Sequence, residues 1–299
     1  MAVRATPSRA VGQVLTRWLP LGAVLLAYWA AQLINTGLSA NPVEGATNAL
    51  GFALHVREPV SVDELIFGAL PTTWLQDRWY TLGEVHWYDV PAALVHVSHF
   101  FVIPATAAVL FVRNRSRFRA WIGCVLLLAV IGIVLYIVYP MAPPWLAGRL
   151  GVVGEVHRIS GIGWQYLHLD AVGSLLGGSQ MAANPVAAMP SLHAASAALP
   201  AIFCWPAAAW WGRVLLAVYP IAMGVTLVYS GEHYMIDVLA GWLAAAAAVG
   251  GWRCRAAIRR RRTDRGESDR GRSDRGDRRD AEQAAEPTGA RSGRQVSTA

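Results

Sequence analysis

Apolar residues in this chain neither alternate nor recur every three or four positions; they run on. Six windows of 17 to 22 residues hold little else: 18–39, 91–112, 120–139, 194–211, 214–230 and 234–252. Runs of this length can cross the ~30 Å hydrocarbon layer as helices. A helix bounded by lipid must satisfy its own backbone and needs no polar face. Asp237 is the only acidic residue inside the six windows. The fourth is short and carries Pro200 and Pro206, which predicts a kink. Segments 40–90 and 140–193 are long for connections, so they are expected to hold interfacial helices rather than open coil. Residues 164–176 suit a helix lying along a membrane surface. The predicted fold is therefore all-α: a polytopic membrane protein, a six-transmembrane-helix bundle with interfacial helices in its outward loops.

Composition agrees, with 55% hydrophobic and 15% charged residues, a profile outside the soluble range. Charge adds orientation. Arg4, Arg9 and Arg17 precede the first window, and Arg113, Arg115, Arg117 and Arg119 cluster around the join of the second and third. Arg213 lies between the fourth and fifth, and Arg253, Arg255 and 259–262 follow the sixth. Segment 40–90 has seven acids against two arginines. The positive-inside rule then puts both termini in the cytoplasm of a multi-pass cell-membrane protein. Segments 40–90, 140–193 and 231–233 face outward. The first window is longer than a signal-peptide core and lacks an A-x-A site, so it is read as retained.

The net charge of +7 suggests nucleic acid at first sight, but residues 253–299 hold 14 Arg and 8 acids and carry +6 of it. That stretch repeats TDRGE, SDRGR and SDRGD, has no apolar content to fold around, and is expected to be disordered. No aromatic residue interleaves its arginines, which argues against a nucleic-acid partner. The expected divisions are a cytoplasmic segment 1–17, a six-span catalytic membrane domain 18–252 and an Arg-rich cytoplasmic tail 253–299. Cys124, Cys204 and Cys254 show no CxxC spacing and read as buried or juxtamembrane thiols.

Candidate chemistry gathers at the outward ends. His193 opens the fourth window after Met-Pro-Ser-Leu, and His233 opens the sixth. His233 and Asp237 are spaced i, i+4 and share a helix face. The carboxylate can fix the imidazole tautomer and leave the other nitrogen a better nucleophile or base. An acid at that depth needs a partner. Ser191 reads as an N-cap, as a holder of phosphate oxygens, or both. His193 can protonate a leaving alcohol. Arg149 and Arg158 follow the motif YPMAPPW at 139–145 and can offer planar donors to phosphate. His96 and His99, i and i+3, make half a metal site with no third ligand evident from spacing, and read as core or pocket-lining residues.

MPSLH at 189–193, GEHYMIDVLAG at 231–241 and YPMAPPW together resemble the type 2 phosphatidic acid phosphatase superfamily, in its branch of inositol phosphorylceramide synthase-like proteins. LPTTWLQ at 70–76 and VSHF at 97–100 are also similar. The resemblance covers roughly 60–252. It implies a six-helix core and a phosphohistidine mechanism with no metal or cofactor: His233 attacks phosphorus, Asp237 orients it, His193 protonates the departing group, and Ser191 helps hold the phosphate. It implies a lipid-phosphate phosphatase or phosphotransferase working on a phospholipid or polyprenyl phosphate at the extracytoplasmic face. The chain departs from the wider superfamily in having no lysine, and Leu227 stands where an arginine precedes the third-motif histidine. Either Arg149 and Arg158 substitute, or the substrate carries less charge, as a phosphodiester does. Two rival readings are a non-enzymatic lipid-binding or transport protein, and an intramembrane protease pairing Ser191 or Ser230 with His233. Oligomeric state is not legible.

Overall fold

The computed structural model describes residues 23–169, 171–175 and 184–259. Among these residues twelve helices follow one another: α1 (Ala23–Ile34), α2 (Thr36–Ala40), α3 (Arg57–Phe67), α4 (Pro71–Trp79), α5 (Asp89–Arg113), α6 (Arg115–Val138), α7 (Pro144–Arg149), α8 (Gly163–Tyr166), α9 (171–175), α10 (Leu192–Cys204), α11 (Trp210–Tyr229) and α12 (Met235–Arg259). No strand forms among the described residues beyond isolated bridges such as Met141 with His55 and Ala187. The chain divides into two units, Met1–Trp252 and Arg253–Ala299, and the helical bundle belongs to the first.

Four helices, α5, α6, α11 and α12, are long and apolar enough to cross a membrane. Among the described residues, the helices at the expected first and fourth spans are shorter. α1 stops at Ile34 because Asn35 turns inward, fully buried, and gives its amide to the Tyr136 carbonyl at 2.8 Å. α10 stops at Cys204, where Pro206 forces a 3-10 turn over Trp205–Ala207. Its 13 residues reach only about 20 Å at ~1.5 Å per residue. α10 need not reach further, because it lies at the centre. It packs against α5, α6 and α11, and every residue from Ala194 to Ala201 is buried. Leu110, Trp121, Leu128, Leu199, Phe203 and Ala245 form one core around it. Met223, Leu227 and Val238 form a second on its other side with Ala194 and Ala197.

The segments expected to face outward gather at one end of the bundle over a third core, which includes Leu54, Val56, Met141, Leu146, Val186 and Tyr234. The expected helices there are real but short. The described residues of 164–176 belong to two pieces, α8 and α9, with His168 between them at φ 55°. A non-glycine residue in the left-handed region cannot continue a helix. At the opposite end α12 runs on past the window's limit at 252 to Arg259. Arginines near a helix C-terminus suit its negative dipole end. The segment 1–17 and the tail from 260 lie outside the described residues.

Candidate active site

Two helix starts meet at the capped end. α10 begins with Ser191 as N-cap, its hydroxyl accepting from the Ala194 N–H at 3.2 Å. The Ser191 N–H in turn donates to the Asp237 carbonyl in the first turn of α12, at 3.1 Å. That approach requires a glycine on α12: a Cβ at Gly241 would collide with the Ser191 carbonyl. The start of α12 is itself held from a distance. Both oxygens of the buried Asp63 carboxylate, on α3, accept from the N–H groups of Met235 (2.8 Å) and Ile236 (2.9 Å). A carboxylate there also meets the positive end of the helix dipole.

These contacts bring His193 and His233 together. His193 Nδ1 lies 3.3 Å from His233 Nε2, and His233 Nδ1 lies 3.3 Å from Asp237 Oδ2. The carboxylate accepts, so His233 Nδ1 carries its proton on that side and Nε2 holds a lone pair facing His193. Asp237 is fully buried and its Oδ2 also accepts from the Tyr234 N–H at 3.0 Å. His233 is buried and His193 half-buried. The result is an ordered line, Asp237, His233, His193, that ends on open space.

That space is a cavity of about 1230 Å³ lined by His193, His233, Arg149, Arg158, Glu232 and His99, among others. Ser191 is fully buried and is not among the residues that line it; its hydroxyl caps α10, in keeping with the N-cap reading. Arg149 and Arg158 both reach the cavity, their guanidinium carbons 5.8 and 5.0 Å from the Trp145 ring centre. Arg158 is tied down: its Nε donates to Glu232 Oε1 at 2.8 Å, which also accepts from Ser160 at 2.7 Å. Burial would raise the Glu232 carboxyl, but Arg158, with help from His96 and Ser160, holds it below the ordinary 4.5.

Sequence reasoning passed over Glu232, although it adjoins His233, because its partner Arg158 lies 74 residues away. It also passed over Gln76. The Gln76 amide donates to the carbonyls of His157 (2.8 Å) and Tyr229 (2.9 Å) and accepts from the His157 N–H (2.9 Å). This clamps the segment around Arg158 to the turn before His233. The turn needs Gly231 at φ 74°, where a Cβ would strike the His157 carbonyl. The third histidine neighbour missing from the sequence pattern is His193 itself: the His99 and His96 rings stand 4.2 and 5.2 Å from its ring.

A family model described as the PAP2 superfamily matches residues 66–251, which is more than half of the chain. The chain is similar to a phosphoinositol dihydroceramide synthase from Bacteroides thetaiotaomicron, 29% identical over 148 residues, covering 48% of this chain and 47% of the relative. The chain thus spans about half the length of that curated relative. No solved structure matches the chain.

Proposed function

The chain belongs to the PAP2 superfamily, and from that premise we propose that it is an integral-membrane lipid-phosphate phosphatase or phosphotransferase acting through a phosphohistidine. The observation that carries this reading is the line Asp237, His233, His193 ending on a cavity that also holds two arginines. His233 Nε2 attacks phosphorus, forming a P–N bond as the bond to the leaving oxygen breaks. His193 delivers its proton to that oxygen. In the second step His193 takes a proton from water or an acceptor alcohol, whose oxygen displaces His233. Asp237 keeps the nucleophile's tautomer and stabilises the imidazolium side of the cycle. With only 3.3 Å between the two imidazole nitrogens, the rings must part to admit the phosphoryl group.

The charge balance favours a phosphodiester or headgroup transfer over a doubly charged monoester, because Glu232 offsets Arg158 and little cationic excess remains. The relative named as a synthase supports the same choice. Six helices, α1, α5, α6, α10, α11 and α12, are read as the bundle. The capped end is read as extracytoplasmic, with both termini cytoplasmic and the membrane domain at 18–252. A phospholipid or polyprenyl phosphate would present its phosphate at that end and its tail to lipid.

The test is purified protein given a panel of phosphatidate, polyprenyl phosphate and phosphatidylinositol-type lipids, with release of phosphate and formation of new phosphodiesters both followed. His233→Ala is expected to lose activity by about 10³-fold or more, as for removal of a nucleophile. A trapped phosphoenzyme is expected to be acid-labile and base-stable. Full turnover by His233→Ala would end the reading.

A further inference from the structure

His96 and His99 take no part in the reaction above, yet they stand against the general acid. They lie i, i+3 on α5, and His193 meets them from the first turn of α10. One nitrogen from each of the three rings lies within 4.8 Å of the other two. The His99 Nδ1 lies 2.5 Å from the His96 carbonyl. A carbonyl only accepts, so Nδ1 carries the proton and Nε2 keeps its lone pair. That second hydrogen bond is what orients an imidazole as a metal ligand. His193 has Nδ1 engaged by His233, so Nε2 is the atom it can give.

We propose that His96, His99 and His193 form a binding site for a borderline transition-metal ion of the Zn²⁺ class, and that occupancy withdraws His193 from proton transfer. Three imidazoles without an oxygen ligand exclude Mg²⁺ and Ca²⁺, which require carboxylates and carbonyls. Three nitrogen ligands leave a fourth position. His99 and His193 line the cavity, so the ion can arrive from it and that position opens onto it. Bonds of about 2.0–2.1 Å draw the three rings inward by rotation about their side-chain bonds. The site is a metal switch on the acid, not a step in the reaction: with Nε2 given to the ion, the ring cannot become the imidazolium that donates from Nδ1. Binding stands independently; the effect on turnover rests on His193 being the acid.

The histidines elsewhere compete poorly. His55 with Glu58 and His86 with Glu84 offer two ligands each, and in both pairs the glutamate is exposed. The experiment uses the full chain in detergent, purified without a polyhistidine tag and stripped of metal. Zn²⁺ is titrated by calorimetry, and Co²⁺ by its visible absorption, which reports tetrahedral nitrogen coordination. One ion per chain is expected. His99→Gln and His96→Gln are expected to weaken affinity at least ~10-fold, whereas His86→Ala leaves it unchanged. Zn²⁺ is expected to raise the Tm of the wild type and not of His99→Gln, with metal-free melting and elution volume reporting that each variant is folded. Equal affinity in wild type and His99→Gln would overturn the site. In parallel, Zn²⁺ is expected to inhibit turnover reversibly, with chelation restoring it. Tight binding that leaves turnover unchanged would overturn the inhibitory half and the role given to His193, while the site would survive.

Discussion

Among single residues, Glu232 carries the most consequence for the least sequence signal. It is buried, holds Arg158 beside the cavity and adjoins His233. Its carboxyl sits below 4.5 in the folded chain, so its contribution is complete above that value and disappears as pH falls through the lower, folded-state value. The wild type is therefore expected to lose thermal stability on acidification below about pH 4.5, and Glu232→Gln to show a flatter acid limb. At neutral pH the same variant is expected to melt lower, by about 1–3 kcal/mol of stability, because Arg158 loses a charged partner. Melting curves from pH 3 to pH 8 check both. Identical acid limbs would remove Glu232 from this role. Such a pair could not be read from spacing, since nothing local marks two residues 74 apart as partners. His193 and His233 could be read, because each opens an apolar run and one has its carboxylate a single turn away.

Helices are where the sequence was most and least informative. α5, α6, α11 and α12 appear close to the expected windows, because a helix facing lipid is apolar at nearly every position and announces its own length. The C-terminal ends of α1 and α10 lie inside the expected windows for local and contact reasons: Asn35 finds a carbonyl on α6, and Pro206 ends α10, whose run from Ala194 to Ala201 is buried among its neighbours. The cap on α12 is also non-local. Asp63 sits 172 residues before Met235 and supplies both acceptors for its first turn. Asp63→Ala is expected to destabilise the fold by about 1–2 kcal/mol. Turnover should fall further than that loss alone explains, because His233 and Asp237 ride on this turn. Gly241→Val should act on the same joint from the other side by pushing α12 off the Ser191 carbonyl. Denaturant melts and turnover measured together test both. Wild-type turnover in a destabilised Asp63→Ala would show that the first turn is placed by something else.

For the whole molecule, the question is which way the capped end points. Apolar side chains such as Phe101, Val112, Val134, Leu215 and Leu243 are exposed on the four long helices, and Trp29 on α1, a surface that a lipid environment suits. Both termini are read as cytoplasmic, which puts the exposed Cys254 on that side. In intact cells, a membrane-impermeant maleimide is expected to leave a Cys204→Ser variant unlabelled and to label it after permeabilisation. Labelling of intact cells would invert the topology and put the cavity in the cytoplasm. The buried state of α10 has a practical corollary. Its run from Ala194 to Ala201 is buried, so bulkier side chains placed there are expected to break the bundle before they change what it accepts. The adjustable positions are Tyr28 and Gln32 of α1 and Phe100 of α5, which line the cavity and lie outside that buried run. Changes in lipid preference, whether engineered or inherited, are expected to accumulate there.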